Sequence, residues 1–245
     1  MSDPLRIEER DDRVVVTLDR AARRNAIDTE MVEALHDVCT RLEREPRLML
    51  LTGGADGVFA SGADIAQLRD RGRLEALAAI NIGLFEQLRR LPMPTLAAVD
   101  GPALGGGAEL AYACDLRICT SRAFFGQPEV RLGIIAGAGA CFRLPALVGE
   151  GMAKEMLYTG RRVPAAEAYA IRLVNKVVED PAELLPAAHA MLDDIAKGSA
   201  LSVRLTKLVV DADPAAHPRL DLAAQAILFE DEEKRARMTA FLERH

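Results

Sequence analysis

Apolar residues along this chain follow two periods in turn. Val14-Val15-Val16-Thr17-Leu18 and Leu48-Met49-Leu50-Leu51 are near-continuous apolar runs, ended by Asp19-Arg20 and Thr52-Gly53-Gly54, and both predict buried strands. Between them Asp28 is placed to cap a helix whose apolar positions Met31, Leu35, Val38 and Leu42 recur at helical spacing up to Pro46. The result is a β-α-β unit. The pattern returns in a helix from about Leu74 to Arg90, stopped by Pro92 and Pro94, and a strand from Thr95 to Val99 closed by Asp100-Gly101-Pro102. A glycine run and a short helix then lead to a strand at Leu116 to Cys119. Strands alternating with helices predict an α/β fold. From Pro181 onward helical periodicity and charged faces dominate, punctuated by Pro186, Gly198, Pro214 and Pro218, which predicts a helical appendage. We divide the chain into a core over residues 1–185, which carries the site, and a helical region over 186–245 that serves assembly.

Composition narrows the function classes. The 245 residues are half hydrophobic and 28% charged, enough to bury a large core without a metal or disulfide. The net charge of -6 provides no basic field for nucleic acid, so a polyanionic ligand must be held by local donors. Cys39, Cys114, Cys119 and Cys141 stand in apolar surroundings without CxxC spacing, which implies neither a disulfide framework nor a zinc site. The polar, acidic N-terminus has no signal-peptide or transit-peptide character, and charged or polar residues interrupt every apolar run well short of a membrane span. A cytoplasmic protein without membrane contact is expected.

Three stretches carry candidate chemistry. Phe59-Ala60-Ser61-Gly62-Ala63-Asp64-Ile65 follows the second strand, and its small residues let a backbone N–H approach a ligand closely. Asp100-Gly101-Pro102-Ala103-Leu104-Gly105-Gly106-Gly107-Ala108-Glu109-Leu110 places consecutive glycines between a strand and a helix, where unpaired N–H groups and the helix dipole suit an oxyanion and Glu109 lies in the first turn. These glycines do not fit the GxGxxG dinucleotide pattern. In Phe124-Phe125-Gly126-Gln127-Pro128-Glu129, Pro128 sets Glu129 just after a rigid corner. Singly, each has an ordinary alternative: a capped loop, a glycine turn for close packing, a surface carboxylate.

Together, in this order and spacing, they closely resemble the enoyl-CoA hydratase/isomerase (crotonase) family. The resemblance rests on Gly62-Ala63-Asp64-Ile65, on the run from Gly101 to Ala111 and on Phe125-Gly126-Gln127-Pro128-Glu129. Arg24-Asn25-Ala26, Leu157-Tyr158-Thr159-Gly160, Leu173 to Val178 and Ala240-Phe241-Leu242-Glu243-Arg244 extend it over most of the chain. It implies a crotonase-like spiral of ββα units with a C-terminal helical region, assembled as a homo-oligomer, a trimer or a dimer of trimers.

By the same resemblance the backbone N–H groups of Ala63 and Gly106 bind the thioester oxygen, and Glu109 and Glu129 match the two glutamates of the hydratases. The implied reaction adds water to a trans-α,β-enoyl-CoA to give a β-hydroxyacyl-CoA, with CoA as part of the substrate and no separate cofactor or metal. The CoA moiety would lie along Arg24, Ala26, Ala63, Asp64, Ile65 and Ala66, with Phe241 and Arg244 contributing from the last helix, from a neighbouring subunit if need be. Arg244 stands where many relatives have lysine and keeps the charge. The loop after Glu129 departs from the family: Ala136 replaces a common proline, Ala140 a glycine, and Cys141-Phe142 a Thr-Gln pair. Pro102 and Ala236-Arg237 depart as well.

Three other readings fit the residues less well. An isomerase on the same scaffold typically manages with one of the two glutamates, so the pair favours hydration. A serine hydrolase is opposed by His36, His189, His217 and His245, none in a motif beside the glycine run, and by Ser61, which sits in no nucleophile elbow. An RNA-binding relative is opposed by the acidic charge and the three tyrosines, seven phenylalanines and absent tryptophan.

Overall fold

The computed structural model describes residues 3–54 and 57–244; His245 lies outside them. The chain opens with an antiparallel pair, β1 (Leu5–Glu9) and β2 (Arg13–Leu18), and passes through α1 (Thr29–Arg44) to β3 (Leu48–Thr52). Asp28 caps α1 as predicted, its carboxylate accepting from Met31 N at 3.0 Å. Three short helices follow, α2 (Ile65–Asp70), α3 (Arg73–Leu77) and α4 (Ile80–Arg89). The single helix expected over Leu74 to Arg90 is therefore broken, with Ala79 in the left-handed region at φ 56°. Next come β4 (Thr95–Val99), β5 (Pro102–Leu104), α5 (Gly106–Ala113), β6 (Leu116–Thr120) and β7 (Phe124–Gly126). A 3-10 turn at Pro128–Leu132 leads to α6 (Ala140–Val148), α7 (Glu150–Thr159), β8 (Arg162–Pro164), α8 (Ala165–Ala170) and β9 (Lys176–Val178).

Strands β1-β2-β3-β4-β6-β9 form one sheet, parallel throughout except at the β1 edge. Strands β5-β7-β8 form a second, smaller one. The apolar runs are continuous because the large sheet is covered on both faces, as parallel sheets usually are. Val14, Val16, Met49, Leu51, Ala97 and Val99 face α1, α4 and α5 in the main core. Their neighbours Val15, Leu48, Leu50, Leu96, Ala98 and Ile118 face the other way, against Leu184, Ala188 and Leu192 of α9 (Leu184–Ala196).

The remaining helices, α10 (Ala200–Val210), α11 (Arg219–Phe229) and α12 (Glu232–Leu242), bury little. Only Ala224 among their residues is buried, while Val210, Leu222, Phe229, Phe241 and Leu242 are exposed. Ion pairs from Lys207 to Asp115 (2.5 Å) and from Arg89 to Asp211 (3.4 Å) tie α10 to the core.

Candidate active site

The site is built on three backbone segments that run side by side. Asn25 anchors the first: its buried amide donates to the carbonyls of Gly53 (2.8 Å), Val58 (2.9 Å) and Phe59 (3.1 Å), and its oxygen accepts from Arg20 N (2.8 Å). This pins residues 24–27 beside 61–64, where Ser61 N donates to Arg24 O (3.1 Å) and Ile27 N to Gly62 O (2.8 Å). On its other flank the 59–64 segment meets β5, with Ala60 N donating to Pro102 O (3.2 Å) and Leu104 N to Ala60 O (3.1 Å). Arg24 and Ala26 are thus held beside Ala63, and Asp64 caps α2 by accepting from Gln67 N at 2.9 Å.

Two amides are left over. Among the described residues neither the Ala63 N–H nor the Gly106 N–H finds a backbone acceptor. They sit close together, since a methyl group at Gly106 would lie 3.5 Å from Ala63 N. The glycine run makes that approach possible. A Cβ at Gly107 would stand 2.3 Å from Ala60 O, an impossible contact, so only glycine lets α5 seat against the 59–64 segment. Gly105 has φ 51° and ψ -127°, which turns the chain from β5 into α5 and leaves the first N–H groups of that helix pointing out of it.

α5 then delivers Glu109, 2% exposed, to the same place. One of its carboxylate oxygens accepts from Ala138 N (2.8 Å) and Ala140 N (3.0 Å), at the start of α6. Burial pushes this carboxyl above the ordinary range, while the Ala140 and Ala138 amides, the charge of Arg143 and the Gly139 amide pull it back. Glu129, 9% exposed, has a different seat. With the Gln127 amide turned nitrogen-inward, that group donates to both Glu129 oxygens at 3.0 and 3.1 Å. Burial, with the neighbouring charge of Glu109 adding to it, pushes Glu129 up to about 7. Two carboxyls beside one cavity therefore differ in kind: one is held by backbone amides that favour its anion, the other by a neutral amide in a dry corner.

Ala63, Gly106, Glu109 and Glu129 line a single cavity of about 520 Å³. Of the other residues expected to bind substrate, Arg24, Ala26, Asp64, Ile65 and Ala66 flank this backbone without lining the cavity. Phe241 and Arg244, at the end of α12, do not reach it within one chain. Gln127, Asn25 and the amides of Ala138 and Ala140 were not foreseen as site groups. Gln127 stands directly before the Pro128-Glu129 corner, inside the motif that carries the family resemblance, and that placement was its sequence signal. Cys39, Cys114 and Cys119 are buried, but Cys141 is exposed, which corrects its expected apolar setting. No cluster of metal-ligating side chains occurs among the described residues, and none of their helices is long and apolar enough to cross a membrane.

Comparison with known proteins points one way. A sequence model of the enoyl-CoA hydratase/isomerase family matches residues 9–245. A crotonyl-CoA hydratase of Syntrophomonas wolfei is 40% identical, with 97% of this chain and 94% of that protein covered. A short-chain-enoyl-CoA hydratase of Clostridium acetobutylicum is 37% identical over 94% of this chain and 91% of its own length. The crystal structure of an enoyl-CoA hydratase from Bacillus anthracis superposes with a TM-score of 0.93 at 31% identity, covering 99% of this chain and 97% of the other.

Proposed function

The chain belongs to the enoyl-CoA hydratase/isomerase family, and from that premise we propose that it hydrates trans-α,β-enoyl-CoA thioesters through Glu109 and Glu129, with the Ala63 and Gly106 amides as oxyanion hole. The observation that carries this reading is the asymmetry of the two carboxyls beside two unpaired amides in one cavity.

Addition of water to the conjugated double bond puts charge on the thioester oxygen. Each preorganised donor aimed at that charge contributes roughly 3–4 kcal/mol to the transition state. Glu109, its anion supported by amides, removes a proton from a water as that water's oxygen bonds to the β-carbon. Glu129, neutral up to about pH 7, gives its proton to the α-carbon. The C–OH and C–H bonds form as the double bond is consumed, and the proton gained by Glu109 restores Glu129 for the next turnover. Each positioned proton transfer contributes about 10²–10⁴-fold. CoA enters as part of the substrate, and no further cofactor has a role in these steps. Arg24, Ala26 and Asp64 to Ala66 cradle the CoA. Phe241 and Arg244 reach it from a neighbouring copy in a trimer or dimer of trimers, an assembly that also covers the exposed apolar residues of α10 to α12. In the chain as a whole, residues 1–185 carry the chemistry and 186–245 the assembly surface.

The test is the fall in conjugated enoyl-thioester absorbance with crotonyl-CoA, for the native protein and for Glu109→Gln and Glu129→Gln. Hydration by the native protein and its loss in both variants supports the reading. Movement of the double bond without hydration would replace it by the isomerase reading.

A further inference from the structure

The cavity beside the two glutamates is walled by Leu68, Ala76, Ile80, Ile134 and Ile135, an apolar lining suited to an acyl chain. Among the residues assigned above to CoA and the oxyanion hole, only Ala63 and Gly106 line it, so the cavity lies on the acyl side of the thioester. Besides the two glutamates, Arg71, Glu75 and Asn81 interrupt its apolar wall, and two of these, Arg71 and Asn81, hold side-chain polar groups without a hydrogen-bond partner among the described residues. The side chain of Arg71, half-buried at the end of α2, makes no hydrogen bond or ion pair with any described residue, and a longer-range attraction to Glu75 engages its charge. Asn81, in the first turn of α4, holds a buried side-chain oxygen with no partner, while its amide nitrogen lies 3.8 Å from where a methyl group at Gly106 would be. Asn81 itself lines the cavity.

A purely hydrocarbon tail would leave both groups unanswered. Buried polar groups left unpaired are costly, which is why a site built to hydrogen-bond part of its substrate rejects the analogue that lacks it. Among the described residues Arg71 is also the only cation that lines the cavity. Glu75, which lines it too, is exposed and already accepts from Gly72 N at 2.8 Å to cap α3, so it does not neutralise Arg71 at contact distance. α2 carries the chain about 9 Å from the Ala63 amide toward Arg71. A group met by the guanidinium therefore lies several bonds beyond the thioester carbonyl.

Resting on the hydratase reading above, we propose that the acyl pocket selects enoyl thioesters whose acyl chain ends in a carboxylate, with Arg71 as its counter-ion and Asn81 as the amide along its path. The planar guanidinium suits a carboxylate bidentately. Arg71 is then a specificity residue, remote from the reacting carbons.

The test compares two probes of equal shape: the mono-CoA thioester of an unsaturated five-carbon dicarboxylic acid and its uncharged branched isostere, in which a dimethyl terminus replaces the carboxylate. The native protein is expected to hydrate the anionic probe with the higher kcat/KM. In Arg71→Met the ratio of the two kcat/KM values falls about 10–100-fold, as loss of a charge-assisted hydrogen bond implies, and Arg71→Lys restores part of it. Asn81→Leu lowers the ratio several-fold. A native preference for the isostere overturns the proposal, as does an Arg71→Met loss that is equal on both probes, which would place the guanidinium on the CoA phosphates. Calorimetric binding of the saturated counterparts separates this from the hydratase reading. If no enoyl thioester is hydrated yet the anionic acyl-CoA binds more tightly and loses that advantage in Arg71→Met, the reaction fails while the pocket assignment stands.

Discussion

The seats of Glu109 and Glu129 are two answers to one problem, a carboxyl taken out of water. Glu109 rises from the first turn of α5 into a pair of amides at the start of α6, so a charge there has donors waiting for it. Glu129 follows a proline corner and meets only the side-chain amide of Gln127 and its own backbone, with Glu109 nearby to disfavour a second charge. Burial raises both carboxyls, but backbone donors counter it at Glu109, whereas at Glu129 the charge of Glu109 adds to it. The two carboxyls line one cavity with different sets of donors around them.

The sharpest way to break this contrast is to remove one carboxyl at a time. Glu109→Gln and Glu129→Gln should each lower kcat for crotonyl-CoA by about 10²–10⁴-fold while circular dichroism stays native. Full activity in either variant would show that its seat has no part in the chemistry. Gly105→Ala comes next. The added methyl would lie 2.8 Å from a Glu129 oxygen in a backbone at φ 51°, and should reduce kcat by about 10–100-fold by displacing the acid alone. A fall in KM-dependent binding with kcat intact would place the damage elsewhere.

The pH profile sharpens the contrast further. Glu129 is neutral below about 7, so the acid is present there and kcat/KM should decline as pH rises through about 7. That decline should vanish in Glu129→Gln along with most of the rate. The smallest effect is on stability, and it has the opposite sign. The folded carboxyl keeps its proton from the ordinary value of 4.5 up to about 7, where the unfolded chain has lost it. Its contribution is therefore fully present below pH 4.5 and is lost as pH rises through about 7. Glu129→Gln, with no proton to lose, should be more stable than the native protein at pH 8 by about 1–2 kcal/mol in chemical denaturation. Equal stability at pH 8 would mean that the Glu129 seat does not resist charge.

The long elements were legible because each is long enough to show a period. α1 carries a capped stripe of buried residues from Met31 to Leu42, and β2, β3 and β4 are continuous apolar runs buried on both faces. Strands of three residues such as β5, β7, β8 and β9 show no period, and edge strand β1 exposes four of its five residues, so pattern alone did not reveal them. The family motifs pointed to Glu109, Glu129, Ala63 and Gly106 because their chemistry is written in contiguous residues. Asn25 escaped as a site group because its partners are far along the chain, carbonyls about 30 residues away, and Arg71 and Asn81 escaped because no neighbouring residue marks them as lining the cavity.

The sequence by itself determined the alternation of strands and helices, the family, the glycines that permit close approach, and the two glutamates that the structure brings to one cavity. Only the tertiary structure decided that Ala138 and Ala140 present their amides to Glu109, that Glu129 is pushed up to about 7, and that Arg71 and Asn81 line the cavity beside the two glutamates. The physical reason is range. Periodicity, capping and backbone freedom act over a few neighbouring residues, whereas the proton affinity of a buried carboxyl depends on dielectric and donors brought in by distant segments.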